Sequence, residues 1–324
     1  MACLLRHAGV GVTDACTRME GRCLGGEWAI GIDLGGTKIH AGAVASDGTV
    51  LGEARTPTEA DRDAETILGN MVRAVREAAS CASLCLPDAA GVGLGSPAPL
   101  DVRAGVLLSP GNLPSLHGFP VVERLSGALD SPVVLDNDAN CFGLAEARFG
   151  AGAGVGVCCG LTLGTGLGGF LVIDGELFTG PRGAAVEVWC SPHLGDHVEE
   201  RVSGRGVARN YEKLTGRRTE AREVAEAARA GDGAAAEAWR EFGRDLAAPV
   251  AYLANVADAD MVVLGGSMAQ AWDLFEEALR AEVDKYVNAV TRADLRVVPG
   301  ALGDRAGMLG AAALVLGRGK GEGD

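Results

Sequence analysis

Apolar and polar positions along the chain follow a grammar that occurs twice. An apolar run, a glycine-rich turn, a second run, a tight Asp-Gly turn and a third run succeed one another over 28–58, and again over 155–180. The glycine-rich turns are Asp33-Leu34-Gly35-Gly36-Thr37-Lys38 and Thr162-Leu163-Gly164-Thr165-Gly166-Leu167-Gly168-Gly169; the tight turns are Asp47-Gly48 and Asp174-Gly175. Short apolar runs bounded by glycine, with Asp-Gly between the later pair, predict strands joined by hairpins. The chain reads as one unit present twice.

Elsewhere the apolar spacing predicts alternating helices and strands. Ile67, Leu68, Met71, Val72 and Val75 recur at helical spacing, and 121–129 and 139–149 form further helices. Residues 91–95 and 132–135 are strands. Loops fall at Ser96-Pro97-Ala98-Pro99 and Ser109-Pro110-Gly111-Asn112-Leu113-Pro114, where closely spaced prolines cannot continue a ladder. Beyond the second unit, helices are expected over 204–214 and 223–230. A longer one carries Trp239, Phe242, Leu246, Val250 and Leu253 on one face, with a kink expected at Pro249. Strands follow at 261–264 and 295–298, separated by a helix that runs on from Ser267 to about 290, and 306–316 is a closing helix rich in Ala and Gly. Residues 1–27 show no period and lack the apolar stretch of a signal peptide. They are expected to be a disordered extension, or to reflect a start site upstream of a true start at Met19; the Gly-Lys-Gly-Glu-Gly-Asp tail is also expected to be disordered.

Composition narrows the class. A length of 324 residues predicts about two domains, and aromatic residues at only 4% predict cores built from Val, Leu, Ala and Ile. The 49 glycines are scattered through periodic segments, which argues for many turns in a globular protein and not for disorder. A net charge of −14 disfavours a nucleic-acid partner, which calls for clustered Lys and Arg. Nine cysteines, two of them adjacent at Cys158-Cys159 in an apolar run, read as reduced thiols and suit the cytoplasm. No unbroken run of about 18 apolar residues is present, so no membrane partner is expected.

Candidate chemistry collects at the turns. Glycine lets backbone N–H groups approach an anion closely, because no Cβ intervenes. Neither turn is a P-loop, which leads into a helix after Gly-Lys-Ser/Thr, and neither is a Rossmann fingerprint, because a strand follows each. Asp136-Asn137-Asp138-Ala139-Asn140 stands at the end of an apolar strand and ahead of a helix, where α/β proteins place ligand-contacting side chains. One Asp would satisfy a helix cap there; four polar residues in five exceed that need. Gly265-Gly266-Ser267 repeats the pattern after the strand at 261–264. No Ser-His-Asp, Cys-His or paired-Cys zinc spacing emerges.

These four motifs, in this order, resemble the bacterial ROK proteins (repressors, open reading frames and sugar kinases) of the actin-like ATPase superfamily, over about Ala29 to Leu316. The resemblance implies an α/β fold of two ribonuclease-H-like domains around a central cleft. The N-terminal domain would span 28–136 plus 306–318, and the C-terminal domain 137–305, with a disordered tail at 319–324. It implies ATP and Mg²⁺, with Gly35, Gly36, Thr37 and Lys38 at the phosphates and Asp33 near Mg²⁺, held through ATP or water. Thr162, Gly164, Thr165 and Gly166 would complete the phosphate clamp, and Gly265 and Gly266 would lie against adenosine. Asn112, Asn137, Asp138, Glu187 and Glu199 would hold sugar hydroxyls, with Asp138 the general base. A hexose kinase is implied, glucokinase first, with fructose or an N-acetylhexosamine as alternative acceptors; a homodimer is implied as well.

Several positions depart from the family pattern. Where its members commonly have Gly-Glu-x-Gly-His and then a Cys-rich zinc loop, this chain has Val186-Glu187-Val188-Trp189-Cys190 and then Leu194-Gly195-Asp196-His197-Val198-Glu199. A structural zinc is therefore not expected, although Cys190, His193 and His197 have ligand types and a Cys-x2-His-x3-His spacing for an atypical site. Ala98 replaces a glycine common in the family's Pro-Gly-Pro loop. Two readings of other classes remain, a ROK-type transcriptional regulator and a non-catalytic sugar sensor. Against the first, the segment before Ala29 has no helical period or basic stripe. Against the second, Asp33, Asp138 and both glycine turns are retained.

Overall fold

The computed structural model describes residues 26–317. The first unit forms β1 (Trp28–Leu34), β2 (Lys38–Ala45) and β3 (Val50–Pro57), then α1 (Ala64–Cys81), β4 (Val92–Ser96), α2 (Val121–Leu129), β5 (Val133–Asn137) and α3 (Asp138–Phe149). The second forms β6 (Val157–Leu163), β7 (Leu167–Ile173) and β8 (Glu176–Leu177), then four helices: α4 (Val198–Arg201), α5 (Gly204–Thr215), α6 (Ala221–Arg229) and α7 (Gly233–Ala257). It continues with β9 (Met261–Gly265), α8 (Trp272–Tyr286), α9 (Ala289–Asp294), β10 (Arg296–Pro299) and α10 (Ala306–Ala313).

The duplication read from the hydrophobic pattern is present in the topology. One sheet has the order β3-β2-β1-β4-β5 and the other β8-β7-β6-β9-β10. In each, the first three strands are antiparallel neighbours and the last two join in parallel. In the second unit Asp174-Gly175 closes the second hairpin with both residues at positive φ, 52° and 79°, the conformation a type I′ turn requires, whereas in the first only Gly48 is at positive φ, 84°.

Capping explains several helix starts. Asp63 accepts from the Thr66 amide ahead of α1, Asn137 from the Ala139 amide ahead of α3, and Asp232 from the Ala234 and Ala235 amides ahead of α7. α7 runs continuously past Pro249. The single helix expected after Gly266 is instead three pieces: a 3-10 turn over Ser267–Ala271, α8, and α9. Asn288 breaks it, because its side chain caps the Val290 and Thr291 amides and starts a new helix. The loop after Ser96 contains a small hairpin, Leu100–Asp101 with Val106–Leu107. The tail and all but the last two residues of the 1–27 extension lie outside the described residues.

The core is mainly aliphatic, as the composition predicts, and it holds an aromatic cluster, Trp239, Phe242 and Phe275, where α7 meets α8. Glycine does more than make turns. α10 lies on the first sheet so closely that a Cβ at Gly31 would come 1.9 Å from the Met308 carbonyl, and one at Gly93 1.7 Å from that of Ala311. α3 packs mainly on the second sheet, with Gly143 against Phe170. Each unit's last helix thus crosses to the other unit's sheet, and α3 and α10 pack on one another. No helix among the described residues is long and apolar enough to cross a membrane.

A Cβ at Gly310 would sit 1.6 Å from the Cys141 carbonyl of α3. Gly310→Ala should therefore cost about 2 kcal/mol or more in urea unfolding, despite a helix-propensity gain of about 1 kcal/mol. Gly127→Ala, in α2 with open space around it, should be neutral or stabilising by up to about 1 kcal/mol. Equal effects of the two changes would overturn this account of the helix crossing.

Candidate active site

Strand ends deliver the polar residues. Asp33 lies next to the end of β1, opposite His40 on β2 and Gly95 on β4; β5 ends at Asn137, and Asp138 opens α3. The end of β9 brings Gly265. These ends meet at a cavity of about 480 Å³ whose walls include Asp33, Lys38, Asp138, Thr162, Gly265 and Gly266. The first turns of α3 and α10 also face it, through Ala139 and Phe142 and through Ala306 and Gly307. Two helix N-termini at one cavity present oriented backbone dipoles, a setting that favours an anion.

The polar run after β5 divides its labour. Buried Asp136 accepts from the Asn140 side chain and the Asn137 amide, each at 2.7 Å, and the Asn137 side chain caps α3. These three residues build the turn, which leaves Asp138 facing the cavity. Asp138 is exposed to solvent on its cleft side and backed by dense protein. Burial, and then the charge of Asp33, push its carboxyl up to about 6, against the lowering effect of the Ala139 amide. Asp33 is also raised, by burial first, and only partly offset by His40 and Lys38; no hydrogen bond to its carboxylate contributes. It abuts Gly307 of α10, where a Cβ would meet the carboxyl carbon at 2.8 Å.

A network ties the 303–305 turn to the first sheet. Lys38 Nζ lies 3.3 Å from Asp304, and Arg55 reaches the same carboxylate at 3.7 Å. Arg305 pairs with Glu53 at 2.7 Å, and buried His40 touches Glu53 from the other side at 3.1 Å. The Arg305 hydrogen bond leads in holding Glu53 down at about 2.

The second glycine turn faces a neighbouring cavity of about 410 Å³, through Gly164 and Thr165. Ser267 and Gln270 line both cavities. Gly266 makes their junction possible: it adopts φ 81°, and a Cβ there would lie 2.3 Å from the Leu163 carbonyl.

The remaining expected residues line neither cavity. In the first turn, Gly35 bonds the Lys38 carbonyl at 3.0 Å, Thr37 is exposed, and Gly36 lies against Asn112, whose Cβ would be 2.9 Å from a Cβ on the glycine. Glu199, beside Gly166, accepts from the Leu167 amide at 3.0 Å and from Arg205 at 2.8 Å. Glu187 is exposed and accepts from the Trp189 indole at 2.6 Å. Just before it, β-branched Val186 holds φ 62°, a conformation that costs on the order of 1–3 kcal/mol.

Cys190, His193 and His197 do not converge as the atypical zinc spacing would require. The Cys190 thiol donates to the Glu187 carbonyl, His193 faces Asp245, and His197 packs edge-on against Trp189. Among the described residues no group of three metal-ligating side chains is placed to hold an ion. The wall from Gly300 to Gly307, with Asp304, was missed. The duplication carried the signal: if β5 leads into α3 through a catalytic turn, β10 must lead into α10 through its counterpart.

Comparison with known proteins places the chain. The ROK family model matches residues 29–318, and the chain belongs to this family. A glucokinase of Thermotoga maritima is 30% identical over 310 residues, 88% of this chain and 96% of that one. An N-acetyl-D-glucosamine kinase of Vibrio atlanticus is 31% identical over 309 residues, 88% and 98% of the two chains. The crystal structure of a ROK family glucokinase from Streptomyces griseus, in complex with glucose and AMPPNP, superposes with a TM-score of 0.74 at 29% identity, covering 89% of this chain and 98% of that one.

A carboxyl raised to about 6 binds its proton more tightly in the folded state than in the unfolded one. It therefore costs stability as pH rises from about 4 to about 6, and the cost stays constant above that. After discounting for solvent on the cleft side, Asp138→Asn should stabilise the ligand-free protein by about 1 kcal/mol at pH 8, roughly 2 °C in Tm. The gain should vanish below pH 4. Thermal unfolding at both pH values checks this, and a variant less stable at pH 8 contradicts the burial of charge at this position.

Proposed function

We infer that this ROK-family chain is an ATP-dependent sugar kinase that moves the terminal phosphoryl group of ATP to a hexose hydroxyl, with Asp138 as general base. The observation that carries the reading is the meeting of Asp33 and Asp138, from two strand ends, at one cavity faced by two helix N-termini.

A sugar hydroxyl becomes a competent nucleophile when a carboxylate within hydrogen-bond reach takes its proton. A carboxyl raised to about 6 is ionised at neutral pH and more basic than an ordinary aspartate, which suits that task. As the hydroxyl oxygen bonds to phosphorus, the bond from phosphorus to the β–γ bridging oxygen breaks, ADP leaves, and the proton stays on an Asp138 carboxyl oxygen. Little else is required beyond position and charge neutralisation. The Gly35-Gly36-Thr37 turn, the Lys38 ammonium and the Thr162–Gly166 turn would serve the phosphates, with Gly265 and Gly266 against the adenosine. Asp33, a cavity-facing carboxylate with no side-chain hydrogen-bond donor among the described residues, fits a divalent cation and would hold Mg²⁺ through the triphosphate or through water. The ion would supply neutralisation of charge on the transferring group.

The second cavity, joined to the first at Ser267 and Gln270, suits the nucleoside of ATP and favours a nucleotide over inorganic polyphosphate as donor. Asn112, Asn137, Glu187 and Glu199 supply the sugar contacts. Glucose ranks first, in line with the glucokinase relatives. An N-acetylhexosamine is the second reading, supported by the Vibrio relative at 31% identity against 30% for the Thermotoga glucokinase. Closure of 28–136 plus 306–318 against 137–305 would exclude water from the transfer. A cytoplasmic homodimer completes the proposal.

ADP release measured over a panel of hexoses, N-acetylhexosamines and fructose, with ATP or polyphosphate as donor, tests the reading. Glucose-dependent turnover with ATP is expected, and no sugar-dependent turnover across the panel would favour a sensor. Asp138→Asn should lower kcat by about 10³-fold while AMPPNP still binds. Retention of more than about a tenth of the activity would remove Asp138 from the role of base.

A further inference from the structure

α7 buries one side in the second unit's core, through Trp239, Phe242, Leu246 and Val250. Asp245 lies on that same side and is only 9% exposed. A carboxylate in such a place is costly unless paired. Its ion-pair partners among the described residues both come from the segment that precedes α5, in charge contacts too long to be hydrogen bonds. His193 Nε2 lies 3.5 Å from one carboxylate oxygen and Arg201 Nη1 3.7 Å from the other, with side chains 13% and 20% exposed. Arg201 also donates to the Leu194 carbonyl at 3.3 Å. The two residues bracket 193–201, a stretch whose regular structure amounts to a two-residue ladder and the four-residue α4. Such short pieces do not hold themselves together.

The far side of α4 carries Glu199. Its carboxylate accepts from the Leu167 amide, at the end of the second glycine turn, and Arg205 bridges it to the Thr165 carbonyl. A continuous set of contacts therefore runs from the core of α7 through Arg201 and α4 to the turn that lines the second cavity.

We propose that Asp245 is a positioning residue: its pairing with His193 and Arg201 staples 193–201 to α7 and thereby sets the shape of the Gly164–Leu167 turn for nucleotide binding. Asp245 touches no substrate, and its effect passes through α4. The nucleotide part rests on the kinase reading above; the staple itself does not.

Hydrogen exchange of the substrate-free protein tests the staple directly. In Asp245→Asn, amides of 191–201 and 164–167 should exchange about tenfold faster while those of the first sheet keep their rates. Arg201→Gln, made from the loop side, should reproduce the pattern and provides the test where the core variant does not fold. The double variant should be no faster than either single one, because both changes break the same pairing. With ATP varied at saturating sugar, each variant should raise KM about tenfold and change kcat by less than about threefold. Unchanged exchange at 191–201, faster exchange spread evenly over the protein, fully additive effects, or a fall in kcat with KM intact would each overturn the proposal. Failure of the kinase reading would leave the exchange result standing.

Discussion

The crossing of α3 and α10 is the contact on which the site depends. Gly310 lets α10 touch the Cys141 carbonyl of α3, and Arg148, near the end of α3, donates to the Ala313 carbonyl at the end of α10 and to the Leu316 carbonyl just beyond it. Buried Glu146 of α3 accepts from the Ala301 and Leu302 amides, in the turn that leads to α10. Each helix belongs to one unit by sequence and packs on the other's sheet. That exchange carries both N-termini to the same place, so the cavity between the sheets is lined by the starts of two helices. A looser crossing would part those starts and separate Asp33 from the Gly307 backbone that confines it.

The crossing also sets the electrostatics. Two carboxylates brought to one cavity cannot both ionise without cost, and burial adds to the penalty: Asp138 is raised by burial and by Asp33, and Asp33 by burial and by Asp304. Lys38 and His40 offset only part of the charge at Asp33. The ligand-free protein holds this arrangement at the expense of its own stability, a common trade at sites whose partners arrive with the substrate. On the kinase reading proposed above, positive charge from a cation and a proton from a hydroxyl would each relieve this cost.

Much of this was legible in the sequence, because glycine and Asp-Gly turns are local signals. The strand triplets, α1, α2, α3 and the sheet duplication follow from period and punctuation alone. Asp138 was legible because four polar residues after an apolar strand demanded an explanation, although Asp136, Asn137 and Asn140 turned out to be building the turn. The wall around Asp304 was missed because Gly300, Gly303 and Gly307 are spaced like a loop and the start of an Ala-rich helix, with no polar cluster to mark them. The break at Asn288 was missed because an asparagine within a helical pattern signals a cap only when a neighbouring element has room for a second helix. Asp245 was readable in principle: three residues after Phe242 and one before Leu246, it puts a charge on the stripe that the apolar positions define as core.

The two units have diverged unequally, and the physical means of holding each half of the site differ accordingly. In the first, the Asp33 turn is fixed by backbone: strand pairing on both sides and a helix seated against Gly31 and Gly93. In the second, a long insertion between β8 and β9 adds α4 to α7, and the Thr162–Gly169 turn leans on that insertion through Glu199, Arg205 and the Gly204 amide. Backbone pairing is insensitive to salt and to single side-chain changes; side-chain ion pairs that are partly exposed are sensitive to both. Variation in nucleotide and sugar binding within this architecture should therefore concentrate in the second unit's insertion. There a changed charge alters the site without breaking a sheet, whereas the Asp33 turn can change little before the first sheet itself fails.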